Sequence, residues 1–510
     1  MEDTQKEQRS WVTVVPLCVI SICALLHSLH FNHTCDDAYI TFTYVQNFAD
    51  GHGLVFNPGD RVLGTSNPAW AFLLYLLSST GLSIPASARL LGSLFAIATL
   101  VTIYRSVLRI YGQAWIAVLS ASFLASSGAF ALWMFGGLET HFFAFAALLV
   151  LLAGARLTTL SAPWKFGLLG LGFGGLSSIH PEGVMLTAPM VALWLLRDRS
   201  GGMWFRAILC VATAAIVVAG LMVLAWTYYG DPLPNTYYAK QHPLSLSVLE
   251  RGAGFTLKFI MRHSLLPLLV PVTWFALRKR MAHPALGVLG LLVLGIFTLF
   301  YLRIGGDALV YYRFWVLTLP WMALMLADLS KCLVDAVPLP RRVVTGFLLA
   351  IIVVANGWNS FIGSDMAYLR RDDAHLQDLK KMAHHLSQKP GEPVIAANVV
   401  GILSFYSGHR ILDMLGLNDR HIAKAPGRQL GIPAHESHDG AYVFEQRPDI
   451  ILPAFPKFKQ SSLPLPQILA YGYPSDLDLY RQDDFLDVYK PTREQVAPGQ
   501  AMFYFGLTAP

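Results

Sequence analysis

Residues Thr34 to Asn67 read TCDDAYITFTYVQNFADGHGLVFNPGDRVLGTSN. An apolar run over residues 11 to 30 precedes them, long enough to cross a bilayer. Lys6 and Arg9 ahead of that run place the N-terminus in the cytoplasm by the positive-inside rule, so Thr34 to Asn67 begins outside. No convincing small-residue cleavage site follows, and the run is read as an uncleaved first helix rather than a signal peptide. The stretch therefore offers two adjacent carboxylates, Asp36 and Asp37, at the outer membrane boundary.

The rest of the chain agrees with a membrane setting. Of its 510 residues 54% are hydrophobic and only 14% charged, and mean hydropathy is +0.48. Repeated apolar runs make it a polytopic α-helical membrane protein. The net charge of +6 comes mostly from Lys and Arg between apolar segments, where orientation explains them, so nucleic-acid binding is set aside. Cys18, Cys23, Cys35, Cys210 and Cys332 show neither metal-type spacing nor a disulfide framework.

Taken in order, residues 68 to 80 are too short to span comfortably and read as interfacial or re-entrant. Spans follow near 86 to 104, 115 to 134, 138 to 156, 164 to 179, 182 to 196, 204 to 227, 260 to 277, 284 to 301, 314 to 330 and 343 to 361. Basic residues, among them Arg105, Arg156, Arg197, Arg278 to Arg280 and Arg341, alternate with polar loops, giving about eleven crossings plus one partial segment. The C-terminus then lies outside. Beyond residue 361 charge, proline and histidine rise. Asp372 to Gln388 has helical spacing, while Val394 to Ala397, Arg410 to Asp413 and Asp449 to Leu452 look like short buried strands. The expected organisation is a membrane domain over 1–361, with 31–67 its first external loop, and a soluble extracytoplasmic α/β domain over 362–510.

On this topology every polar cluster of interest falls on one face. A carboxylate beside the membrane is costly unless used or paired, although Asp also caps helices and the residues after Asp37 can form one. The glycines of Gly51-His52-Gly53 and Pro58-Gly59-Asp60 shape turns.

The run DDAYITFTYVQNFADGHGLVFNPGDRVLGTSNPAW resembles the first external loop of the bacterial GT-C membrane glycosyltransferases, and most of all the arabinofuranosyltransferases of the mycobacterial cell wall. GLET at Gly137 to Thr140, HPEG at His180 to Gly183, YYGDPLPNTYYAK at Tyr228 to Lys240, IGGD at Ile304 to Asp307 with Arg313, and LDMLGLND at Leu412 to Asp419 extend the likeness in order. The chain departs from that pattern at Leu63, where the family has an acidic residue, and just before Thr65, where Tyr is frequent.

The resemblance implies a GT-C fold and a transferase drawing its sugar from a polyprenyl-phosphate donor at the outer membrane boundary of a bacterial inner membrane. Arabinofuranose is the first expectation, and mannose or another hexose the second. A carboxylate of Asp36 or Asp37 would accept the proton of the attacking hydroxyl while the phosphate leaves. The family pattern favours Asp36, with Asp37 orienting it or touching the sugar. Inverting and retaining routes both stay open. Lys240, Arg303 and Arg313 are the candidates for the leaving phosphate, against ordinary snorkelling at helix ends. Glu139, His141, His180, Glu182, Asn235, Tyr237 and Asp307 are candidates for sugar or acceptor contact. Helix capping is the alternative for His180 with Glu182, and an interfacial belt the alternative for the tyrosines. Carboxylate-rich loops permit a divalent cation, but no ligand set has decisive spacing and none is expected to be obligatory. His435-Glu436-Ser437-His438, Asp413, Asn418 and Asp419 are read as loop and acceptor-surface residues. A lipid-linked sugar transporter or flippase is the competing class, disfavoured because the charges gather at one boundary and not near mid-membrane.

Overall fold

The structure is a computed structural model describing residues 2–241, 243–425, 436–453 and 463–508, with side chains described from residue 13 onward except at position 310. His435 lies outside the described residues. By contacts the chain forms two compact units, each assembled from three separate stretches.

The first unit, residues 1–33, 88–220 and 249–367, is helical. Among the described residues, six helices are long and apolar enough to cross a membrane: Thr13–Phe31, Ile84–Tyr111, Gly201–Tyr229, Pro284–Ile304, Tyr311–Ala336 and Arg341–Leu386. A bent pair, Leu246–Arg262 with Leu266–Arg280, makes a seventh if it counts as one span. This is the make-up of a multi-span membrane protein. The sequence count of about eleven crossings is higher because several apolar segments fold as short helices. Residues 115 to 134 divide into Ala114–Ser126 and Gly128–Trp133, with Ser127 capping the second, and residues 182 to 196 begin as a 3-10 turn, Pro181–Leu186, before Thr187–Arg197. The expected span 260 to 277 is instead broken by an 88° bend, where Ser264 and Leu265 take left-handed backbone with φ of 53° and 62°.

Helices in this unit approach closely where side chains are small. A Cβ on Gly170 would lie 2.2 Å from the Cys210 carbonyl oxygen, the kind of contact that lets apolar helices associate without a hydrophobic driving force in lipid.

The second unit, residues 34–87, 221–248 and 368–510, carries a five-stranded sheet. Its strands are β1 (Ile395–Ala397), β2 (Ile411–Asp413), β3 (Ile450–Ile451), β4 (Tyr489–Ala497) and β5 (Gln500–Leu507), in the order β2-β1-β3-β5-β4. β1 pairs parallel with β2 and β3, whereas β5 runs antiparallel to β3 and β4. The period-2 alternation of strands sends side chains to two cores. Ile395, Ala397, Ile450 and Met502 join one with Leu379, Met382 and Leu386 of the Ser364–Leu386 helix. Ala396, Ile451, Phe503 and Phe505 join the other with Leu479, Phe485 and Tyr489. Ile40, Tyr44 and Phe56 of the opening stretch belong to the first of these cores.

Candidate functional site

Asp36 and Asp37 open the helix Asp36–Ala49, occupying its first turn, where negative charge is favoured by the helix dipole. The Asp36 side chain also reaches another helix start. The N–H groups of Ile402 and Gly401 donate to its Oδ1 and Oδ2 at 2.8 and 2.9 Å, so one carboxylate satisfies the first two N–H groups of the helix Gly401–Ser407. Approach is close enough that a Cβ on Gly401 would meet the Asp36 carbonyl oxygen at 2.0 Å. Thr43 and Ser404 hydroxyls bond at 2.8 Å along the same seam. Burial pushes Asp36 up to about 7 despite the opposing Ile402 and Gly401 bonds, with Asp37 and Asp372 adding to the rise.

The surrounding loop is held by hydrogen bonds over long sequence distances. Asn57 donates to the Ile411 carbonyl at 2.9 Å and accepts from the Ile411 N–H at 3.0 Å. Tyr44 donates to Val62 O and accepts from Gly64 N–H, both at 2.7 Å. Asn235 is buried, and its amide donates to the carbonyls of Gly416, Leu417 and Asp419 at 2.6, 3.3 and 2.9 Å. Those bonds make Asn235 a tie between chain segments, with its N–H group spent on these carbonyls. Asp413 is similarly engaged, accepting from Leu415 N, Asn418 N and Asn418 Nδ2 at 3.0, 2.8 and 3.0 Å; burial nevertheless pushes it up to about 6. Tyr237 is exposed and Lys240 half-buried.

Whole-chain comparison places this architecture. The chain superposes on the crystal structure of ArnT from Cupriavidus metallidurans in the apo state with a TM-score of 0.59 and 15% identity, covering 99% of this chain and 100% of that one. It also superposes on the crystal structure of ArnT from Cupriavidus metallidurans bound to undecaprenyl phosphate, with a TM-score of 0.53 and 15% identity over 79% and 86% of the two chains. The fold is that of ArnT. A family described as a domain of unknown function, DUF8728, matches residues 367–494. No curated protein matches the sequence.

In the first unit, three of the loops singled out from the sequence meet. Glu139, His180, Glu182 and Arg313 line one small cavity with Thr140, Phe143, Phe297, Phe300, Phe314 and Leu317. His180 contacts Glu182 through Nδ1 and lies 3.7 Å from Glu139 through Nε2. Burial disfavours its charge, but Glu182 and then Glu139 outweigh that and hold His180 above the usual histidine range. Arg313 donates from Nε to Asp307 Oδ2 at 2.9 Å and its guanidinium stands 4.6 Å over the Phe314 ring. The two residues before it, Tyr311 and Tyr312, both have left-handed backbone with φ of 54° and 53°. Strain of this kind persists only where surrounding packing over-determines it, here through the Trp133 indole, which donates to the Tyr311 carbonyl at 3.2 Å. The cavity, about 20 Å³, has room for a single water.

His141 does not join that cluster through its ring. It is fully buried, with Nε2 donating to the Phe130 carbonyl at 2.8 Å. Arg303 is exposed in the last turn of Pro284–Ile304. Among the described residues no group of three or more His, Cys, Asp or Glu side chains is placed to hold a metal ion. Sequence reading missed the Gly401–Ile402 amides, and only the glycine between a short strand and a helix hinted at a close backbone approach.

Proposed function

We propose that this chain is a membrane glycosyltransferase that moves a sugar from a polyprenyl-phosphate donor to an acceptor hydroxyl on the extracytoplasmic side of a bacterial inner membrane. The observation that supports it most is the full-length likeness to ArnT, one structure of which is bound to undecaprenyl phosphate. Arabinofuranose is the first sugar to test, in keeping with the motif resemblance. The acceptor is a glycan or protein of the cell envelope.

Asp36 is the proposed base. Two backbone N–H bonds fix its carboxylate, leaving about two lone-pair sites for a substrate hydroxyl. A value of about 7 suits proton transfer near neutral pH. As the acceptor oxygen bonds to the anomeric carbon, its proton passes to Asp36 and the sugar–phosphate bond breaks, both electrons going to the departing polyprenyl phosphate. Asp37 contacts the sugar or acceptor. Lys240 is the proposed phosphate cation. Arg303, Arg313, Glu139, His180, Glu182 and Asp307 are proposed to serve donor or acceptor binding, with Arg313 held in place by Asp307.

Purified protein supplied with lipid-phosphate arabinofuranose, mannose and other hexoses, followed by linkage analysis of the product, tests the reading. Full transfer by both Asp36→Asn and Asp37→Asn would sink it. Substrate flux into proteoliposomes without covalent transfer would favour a transporter.

A further inference from the structure

The second unit contains a cleft of about 980 Å³ that the proposed reaction does not use, although residues of three of the motifs, among them Asp60, Tyr228 and Asp419, line it. It is within the size range of ligand sites. It is lined by the turn at Asp60–Val62 with Tyr228 and Tyr229, by Arg420, His421 and Lys424 with Asp439 and Tyr442, and by Ile411 and Leu412 of β2.

Most of its charges are paired in place. Arg410 pairs with Asp60, His421 Nε2 lies 2.8 Å from Asp439 Oδ2, and Lys424 Nζ lies 2.5 Å from Asp231 Oδ2. Arg420 donates to the carbonyls of Tyr229 and Arg61. A polyanion would have to break these pairs, and the carboxylates Asp60, Asp231, Asp419 and Asp439 offset the positive charges of Arg61, Arg410, Arg420 and Lys424. Planar groups are among the lining residues. Tyr442 stacks on His421 with ring centroids 4.0 Å apart and 14° between planes, and the Arg61 guanidinium lies 5.0 Å over Tyr228. An extended peptide is disfavoured, because β2 is an edge strand whose Ile411 N–H and carbonyl are both already bonded to Asn57.

We infer that this cleft binds a neutral carbohydrate chain. A sugar presents hydroxyls that both donate and accept, which paired carboxylate and guanidinium groups match without a net charge, and apolar ring faces that pack on aromatic planes. The inference deepens the transferase reading by giving the acceptor glycan a seat, and it rests on that reading for its biological meaning only.

The test is binding by the purified full-length protein in nanodiscs without any donor lipid, so it stands or falls independently of transfer. Linear hexasaccharides of arabinofuranose, mannose, glucose and galactose are titrated by calorimetry, with polyphosphate of matched length alongside. Saturable binding of at least one hexasaccharide, weakened about tenfold or more by Tyr442→Ala and by Tyr228→Ala, is expected. Tyr442→Phe keeps the ring and removes only the hydroxyl bond to Asp419 (3.2 Å), so it retains binding and guards against a variant that merely unfolds. Binding of polyphosphate alone, no binding of any hexasaccharide, or hexasaccharide binding indifferent to both alanine variants overturns the inference.

Discussion

Asp36 does two things with one carboxylate, and its variants separate them. Asp36→Asn retains one oxygen acceptor but turns an amide toward the second N–H, so the Gly401–Ser407 helix loses part of its cap. If Asp36 is the base, sugar transfer falls by about 10²-fold or more while the protein stays folded; a drop in melting temperature with proportionate residual activity would mark it as a cap alone. The pH sign follows from the same residue. Its folded value, about 7, lies above the ordinary 3.8, so the folded state holds the proton more tightly than the unfolded chain does. That stabilising contribution is complete below about pH 4 and disappears as pH rises through about 7. The stability advantage of the natural chain over Asp36→Asn therefore shrinks between pH 5 and 8 in thermal melts, and an advantage that grows with pH contradicts it. Gly401→Ala places a Cβ against the Asp36 backbone and is expected to destabilise by about 1–3 kcal/mol, read by denaturant melts.

At the scale of elements, much was legible. Val394 to Ala397, Arg410 to Asp413 and Asp449 to Leu452 appear as β1, β2 and β3 within a residue or two, because short apolar runs bounded by turn residues leave few alternatives. The terminal hairpin was not foreseen. Its β4 reads YKPTREQVA, polar along one side, and its partner β5 contributes the Phe503 and Phe505 that fill one core, a role fixed by tertiary packing more than by strand propensity. The clustering of Glu139, His180, Glu182 and Arg313 followed from topology, whereas the Asn235 amide and His141 Nε2 are polar groups that the sequence offers to a substrate and the fold consumes internally. Asn235→Ala consequently strips three carbonyls of their donor. A loss of about 1–3 kcal/mol in stability is expected from proteolysis-coupled unfolding, with substrate affinity unchanged in the fraction that folds.

For the molecule as a whole, the number of crossings was the least legible feature. Hydropathy registers apolar content but not a break, and Ser264 with Leu265 turn one apolar stretch through 88° with no proline or glycine at the two left-handed positions. Leu265→Gly, which accepts φ of 62° without the Cβ penalty, is expected to keep or raise the melting temperature; a loss above about 1 kcal/mol would show that the Leu265 side chain contributes more than its backbone costs. The compact grouping of residues 34–87 with 368–510 was invisible for a different reason: hydrogen bonds such as those from Asn57 to Ile411 join residues 354 positions apart, and one sequence without companions holds no record of such pairs.

The Asp36–Gly401 bond, 365 positions long, sets a timetable for biogenesis. At ribosomal speeds of about 5–20 residues per second, its donor is made roughly 20–70 s after its acceptor. Until then the carboxylate has no amide to hold and Gly401–Ser407 does not exist to be capped. A nascent or prematurely terminated chain thus contains the entire DDAYITF run yet lacks the pair of amides that fixes it. In this chain, completeness of synthesis is itself a condition for assembling the proposed base.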